Sequence, residues 1–111
     1  MNYDKENIFA KILSKEIPCE PVFENDLILA FKDINPQAKM HVLIIPKGEY
    51  VDISDFLQNA SLNEISSFWK SVDELLLHLN LKDKGFQIKT HKGKDGGQEV
   101  FHFHLHLLSN S

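Results

Sequence analysis

The sequence predicts an α+β domain in which an antiparallel sheet carries one short and one long helix. Three observations predict it. Short β-prone runs are separated by turn residues, a long stripe of apolar residues recurs at the helical period, and two further strand-like runs follow that stripe across a glycine-bearing loop. With 111 residues, 42% of them hydrophobic and 25% charged, the chain can bury one modest core without disulfide or metal staples. It reads as one domain, residues 1–111.

Ile8, Phe9, Ile12 and Leu13 recur at helical spacing and Pro18 closes the segment, which predicts a short amphipathic helix over about residues 5–16. Val22–Glu24 and Leu27–Phe31 flank Asn25-Asp26, two residues that tolerate the positive φ of a tight turn, so a hairpin is expected. After a loop containing Asn35-Pro36, His41–Ile45 is apolar on both faces and stops at Pro46, as a central strand does. Ser61 with Glu64 three residues on is a capping-box signal. Leu62, Ile65, Phe68, Trp69, Val72, Leu75, Leu76 and Leu79 then form one stripe, predicting a long helix over about 61–79. Trp69 is expected in the core or a dimer interface, and His78, flanking the stripe, in solvent. Phe86–His91 and Val100–Leu108 read as two strands joined by the loop Lys92–Gln98.

Composition excludes several functions. Twelve Lys and Arg against sixteen Asp and Glu give a net charge of -4, which provides no diffuse positive field for long nucleic acid; a mononucleotide needs only a local pocket. Cys19 is the lone cysteine and MNYDKENIFA lacks a secretory pattern, so a reducing cytoplasm is expected. The apolar stretches Leu27–Phe31 and Val42–Ile45 fall far short of the roughly 20 residues of a membrane-spanning helix.

Three of the six histidines alternate in His102-Phe103-His104-Leu105-His106. On a strand, alternation projects all three imidazoles from one face and sends Phe103, Leu105 and Leu107 into the core from the other. Such a cluster supports two chemistries. Neutral imidazoles can ligate zinc, with His41 or His91 completing the shell. Alternatively one imidazole attacks phosphorus while its neighbours orient it and move protons. Spacing alone leaves both open. The preceding loop favours the second, because Gly93, Gly96 and Gly97 can turn amides toward a common point and Gln98 adds a side-chain amide, a cradle for a phosphate oxyanion that zinc does not need. Lys92 and Lys94 read as solvated loop lysines.

The segment from Asp95 to Leu108 resembles the signature of the histidine-triad (HIT) family, His-φ-His-φ-His-φ-φ, in its Hint-type branch. Ile8–Ile12, Phe31–Ala38 and His41–Lys47 keep the family's order and nearly its spacing, so the resemblance covers almost the whole chain. It implies the HIT-like fold, a five-stranded antiparallel sheet with one long and one short helix, continued across a homodimer. It implies a hydrolase that needs no cofactor or metal and acts on purine nucleotide substrates, AMP or GMP derivatives such as nucleoside phosphoramidates. In that reading His104 attacks the α-phosphorus, His102 orients His104, and His106 lies by the phosphate and leaving group. His41 is the family's fourth histidine, joined to the triad by hydrogen bonding. Gln98 with local amides holds phosphate oxygens, Asp33 accepts the ribose hydroxyls, and Phe9, Ile12, Phe31 and Ile34 form the base slot.

The departures are specific. His91 stands where an asparagine is usual and Glu99 where a phosphate-contacting serine is usual, so leaving-group handling is open, as is a non-catalytic nucleotide-binding or adaptor role. Asn7 and Ala10 replace the Cys-x-x-Cys pair of some bacterial relatives, so their structural zinc is not expected. The sequence continues only to Ser109-Asn110-Ser111, with almost none of the tail that shapes substrate choice in relatives.

Overall fold

The computed structural model describes residues 2–111. Five strands, β1 (Pro21–Glu24), β2 (Ile28–Lys32), β3 (Met40–Pro46), β4 (Gln87–Lys89) and β5 (Leu105–Ser109), form one sheet in the order β1-β2-β3-β5-β4. Every neighbouring pair is antiparallel, as expected. The helices are α1 (Ile8–Leu13), α2 (Ile53–Asn59) and α3 (Leu62–His78), and a single 3-10 turn covers Lys94–Gly96. None is long and apolar enough to cross a membrane among the described residues.

The sheet divides the molecule into two cores, because side chains alternate along each strand. Ile28, Ala30, Val42, Ile44, Leu105 and Leu107 face α2 and α3, where Phe56, Phe68, Val72, Leu75 and Phe103 complete the larger core. Leu29, Phe31, Leu43 and Ile45 face the other way and pack with Phe9 and Ile12 of α1. The β3–β5 register sets Leu43 opposite His106 and His41 opposite Leu108. Residues directly opposite share a face, so both histidines lie on the α1 side of the sheet.

Several elements differ from expectation, each for a local reason. The first helix is shorter than 5–16: Asn7 Oδ1 accepts the amides of Phe9 and Ala10, both at 3.0 Å, and Lys15 leaves the helical region at φ 68°. In the hairpin neither Asn25 nor Asp26 takes a positive φ. Instead Asn25 Oδ1 accepts the amides of Leu27 (2.8 Å) and Ile28 (2.9 Å), and its Nδ2 donates to Ser71 Oγ (2.9 Å), tying the turn to α3. The Ser61 cap forms, with Oγ accepting the Glu64 amide at 3.0 Å, but the Glu64 carboxylate accepts the Tyr50 hydroxyl at 2.8 Å rather than returning to Ser61. Leu62 and Trp69 turn outward, 86% and 41% exposed, so Trp69 is not core. His78 is exposed, as expected, and touches Phe23.

Two corrections bear on the site. Helix α2 is additional: Asp52 accepts the Asp55 amide and Asp55 accepts the Val51 amide, both at 2.8 Å, a reciprocal cap built from aspartates. It delivers Phe56, 1% exposed, onto Phe103, with ring centroids 5.0 Å apart. The last strand begins at Leu105, not Val100. The β3–β5 ladder stops at the Ile44–Leu105 pair although β3 runs on to Pro46; the Phe103 amide donates to the Tyr50 carbonyl instead, at 2.7 Å. Residues 98–104 are therefore irregular, and only His106 of the three histidines lies on a strand.

Phe56→Ala should cost about 3–5 kcal/mol through the cavity it leaves. Urea unfolding measures this, and a loss under about 1 kcal/mol would mean that α2 does not contribute to the core in solution.

Candidate active site

A cavity of about 620 Å³ opens on the α1 side of the sheet. Phe9 and Ile12 of α1, with Phe31, form its apolar wall, and Ile34, 90% exposed, sits at the rim. Asp33, His41, His104 and His106 form its polar side, with His91 and Glu99 at the same end as Gly97. Ten of the twelve residues singled out from the sequence thus share one cavity; His102 and Gln98 lie outside its lining.

His102 is fully buried behind the cavity. Its Nε2 lies 2.9 Å from the Pro46 carbonyl and its Nδ1 2.6 Å from the Tyr3 hydroxyl. A carbonyl only accepts, so Nε2 carries the proton and the tyrosine donates to Nδ1, an assignment made from the partners. His102 also presents its own carbonyl to His104 Nδ1 at 2.7 Å. By the same logic His104 holds its proton on Nδ1 and keeps the Nε2 lone pair free. Phe9 meets the His104 ring edge to face at 4.9 Å, and Thr90 Oγ1 donates to the His104 carbonyl at 2.6 Å. The nucleophile candidate is braced from three directions.

A second chain of hydrogen bonds reaches His106. The Gln37 amide donates to His41 Nδ1 at 3.1 Å, which puts the His41 proton on Nε2. That nitrogen lies 3.0 Å from His106 Nδ1 and 3.4 Å from Asp33 Oδ2. His106 Nδ1 therefore accepts, its Nε2 carries the proton, and the ring is a donor. Asp33 Oδ1 accepts the Asn35 amide at 2.8 Å, leaving Oδ2 as an acceptor.

Burial, first, pushes His104 below its ordinary range; the His102 carbonyl and the negative charges of Asp33 and Glu99 act in the opposite sense, while His91 adds to the depression. Burial and the neighbouring histidines hold His106 at about 4, and burial holds His102 at about 4. All three triad rings are neutral at pH 7.

The glycine loop departs from expectation. Gly93 (φ 69°) and Gly97 (φ 86°) use the conformational freedom foreseen for them, but the loop's amides are turned inward. Gly93 donates to Gln98 Oε1, Gly96 to the Gly93 carbonyl, Gly97 to that of Lys94, and Gln98 to that of Gly93. The Gln98 side chain, 5% exposed, is fully committed, since its Nε2 donates to the Val51 carbonyl at 2.7 Å and the Val100 carbonyl at 3.0 Å. Immediately downstream, Glu99 and Val100 line the cavity, and their amides have no acceptor among the described residues. Lys94 is exposed as expected, whereas Lys92 Nζ donates to Ser54 Oγ at 2.9 Å.

Metal ligation by the triad finds little geometric basis. The donor atoms that converge within 4.8 Å belong to Asp33, His41 and His106, and the two imidazoles there already share a hydrogen bond. Both nitrogens of His102 are occupied. Sequence reading missed Tyr3 and Thr90, for which nothing in the local pattern signals contact with residues 99 and 14 positions away.

A five-stranded antiparallel sheet with a histidine cluster flooring one cavity defines a class of α+β proteins with a histidine-centred ligand site. The HIT domain pattern matches residues 14–111. An uncharacterized HIT-like protein of Rickettsia prowazekii is 44% identical over 106 residues, covering 96% of this chain and 88% of that one. The chain belongs to the HIT family. A HIT family hydrolase from Clostridium thermocellum superposes with a TM-score of 0.85 at 32% identity, covering 97% and 93% of the two chains. A histidine triad nucleotide-binding protein from Candida albicans gives 0.80 at 30%, covering 92% and 73%.

The buried histidine sets an acid limit on stability. In the unfolded chain His102 titrates near 6.5, against about 4 when folded. Below 6.5 the unfolded state binds a proton that the folded state refuses, so this contribution is complete above 6.5 and declines as pH falls toward 4, by at most about 1.4 kcal/mol per pH unit. Urea midpoints measured from about pH 7 down to about pH 5 should fall less steeply in His102→Gln than in the wild type. Equal slopes would show that His102 does not titrate differently on unfolding.

Proposed function

We propose that the protein is a Hint-type nucleotidyl hydrolase that cleaves purine nucleoside phosphoramidates or related adenylates to a nucleoside monophosphate, through a covalent nucleotidyl-histidine at His104. The observation that carries this reading is the 2.7 Å bond from His104 Nδ1–H to the His102 carbonyl, which leaves a neutral Nε2 lone pair at the cavity. Family membership and likeness to a solved hydrolase and a solved nucleotide-binding protein support it.

In this mechanism Nε2 attacks the α-phosphorus and a P–N bond forms while the bond to the leaving group breaks. The ring gains positive charge, which the Nδ1–H bond to the His102 carbonyl stabilises. His106 Nε2–H hydrogen-bonds the phosphate or the leaving atom. An anionic phosphate beside that ring favours its protonated form, which is what a departing amine needs. Water then attacks phosphorus and passes a proton to His106 Nε2, which the departing amine has left as a lone pair; the P–N bond to His104 breaks, and the nucleoside monophosphate and that proton depart, leaving both rings neutral again. Asp33 Oδ2, which only borders His41 Nε2 at 3.4 Å, accepts ribose hydroxyls, the amides of Glu99 and Val100 hold phosphate oxygens, and Phe9, Ile12, Phe31 and Ile34 receive the base. His41 keeps His106 in the donor tautomer. Both nitrogens of His41 and the Nδ1 of His106 are already hydrogen-bonded, which favours a reaction without metal.

With adenosine phosphoramidate in EDTA, the wild type should turn over and His104→Ala should lose about a thousandfold or more in kcat. Full-rate turnover by His104→Ala overturns the mechanism, and tight AMP binding without turnover of any adenylate by the wild type points to a binding domain instead.

We also propose a homodimer in which two copies of the sheet join into one continuous sheet, with α3 and the short edge strand β4 forming the contact. The outward Trp69 and the 39% exposed Phe86 support this, as does the cost of leaving a sheet edge uncovered. Light scattering after gel filtration should give about twice 12.8 kDa; a monomer at micromolar concentration rules it out.

A further inference from the structure

The proposed reaction has no use for Tyr3, yet its hydroxyl makes one of only two bonds to the buried His102 ring. We propose that Tyr3 is a positioning residue for the His104 nucleophile, acting through His102; the inference rests on the mechanism proposed above.

The path is continuous. The Tyr3 hydroxyl donates to His102 Nδ1 at 2.6 Å, His102 Nε2–H donates to the Pro46 carbonyl at 2.9 Å, and the His102 carbonyl receives the His104 Nδ1–H at 2.7 Å. The first two bonds clamp the His102 ring between the N-terminal segment and the end of β3. With the ring clamped, the backbone of residue 102 has little room to rotate, and its carbonyl stays where the His104 proton needs it. Loss of the hydroxyl leaves a buried nitrogen lone pair without a donor, while the Pro46 carbonyl keeps the proton on Nε2, so the ring escapes that state by turning. That turn moves the carbonyl that holds His104.

The clamp is firm at its outer end. Asp4 accepts the Asn7 amide (3.1 Å) and Asn7 Nδ2 (2.7 Å) on its carbonyl and the Glu6 amide (2.9 Å) on its carboxylate. These bonds knit the residue after Tyr3 to the cap of α1, the helix whose Phe9 edge braces His104. The N-terminal segment thus touches the nucleophile twice, at its ring and through its hydrogen-bond acceptor. Burial, then the charges of Glu49 and Asp4, raise the phenol above its ordinary value against an opposing contribution from Asn7, so it is a protonated donor at neutral pH.

The test is the tautomer state of the histidines by 15N NMR, together with steady-state kinetics, in wild type and Tyr3→Phe. Wild type should show a slowly exchanging Tyr3 hydroxyl proton coupled to His102 Nδ1 and a single Nδ1–H tautomer for His104. In Tyr3→Phe the His104 signals should become a tautomer mixture, with kcat down about tenfold and KM within about twofold, whereas loss of packing alone lowers the melting temperature and leaves the tautomer intact. An unchanged His104 tautomer and kcat in folded Tyr3→Phe overturns the proposal. So does a fast-exchanging Tyr3 hydroxyl in the wild type, a measurement that needs no variant to fold. The spectra need no substrate, so an inactive wild type removes the nucleotidyl mechanism alone.

Discussion

The His104 ring can be held in one tautomer only because a carbonyl two residues earlier faces its Nδ1, and that carbonyl can face it only because residues 98–104 leave the sheet. On a regular strand the His102 carbonyl would point to a neighbouring strand, as ladder carbonyls do. Much of the molecule serves this departure. Pro46 ends β3 and offers its carbonyl to His102, Tyr50 receives the Phe103 amide, and Phe56 from α2 stacks on Phe103 to hold the displaced segment down. Among the described residues no buried side-chain polar atom lacks a partner, so the departure from the sheet strands no buried side-chain group.

The two histidine chains divide the labour by polarity. One ends in a lone pair at His104 and the other in an N–H at His106, and the rings lie 5.2 Å apart across the cavity floor. Each polarity is set by a backbone group: the His102 carbonyl facing His104 Nδ1 for the first, the Gln37 amide facing His41 Nδ1 for the second. Neutral rings are what makes such chains directional, and burial keeps His102 and His106 neutral.

Most of this fold was legible because its long-range organisation rests on local patterns. The β-prone run Leu27–Phe31 and the run His41–Ile45, apolar on both faces, foretold a hairpin strand and a central strand, and the 3.6-residue stripe after Ser61 foretold α3. The cavity side chains were legible because the resemblance fixed ten of them to one place. What was lost is instructive. Alternation of His102 to His106 was read as a strand, but the pattern reports only which side of the sheet a residue serves, and Phe103, Leu105 and Leu107 serve the same core with or without the ladder. Helix α2 was missed because its cap uses Asp55 where glutamate or glutamine is the usual signal. Tyr3 was invisible because its partner lies 99 residues away.

Gln98 has a further consequence. Its amide bolts Gly93, Val51 and Val100 together beneath the loop, with every bond pointing into the protein. The loop tip from Lys94 to Gly96 therefore stands outside a closed joint, while Glu99 and Val100 stand inside it. The His91 ring is what crosses it, with Nδ1 2.8 Å from the Gly96 carbonyl. A change at the tip that displaces Gly96 reaches the cavity through His91, whereas substitutions that leave that carbonyl in place let the surface around the site diverge while the chemistry beneath it is preserved.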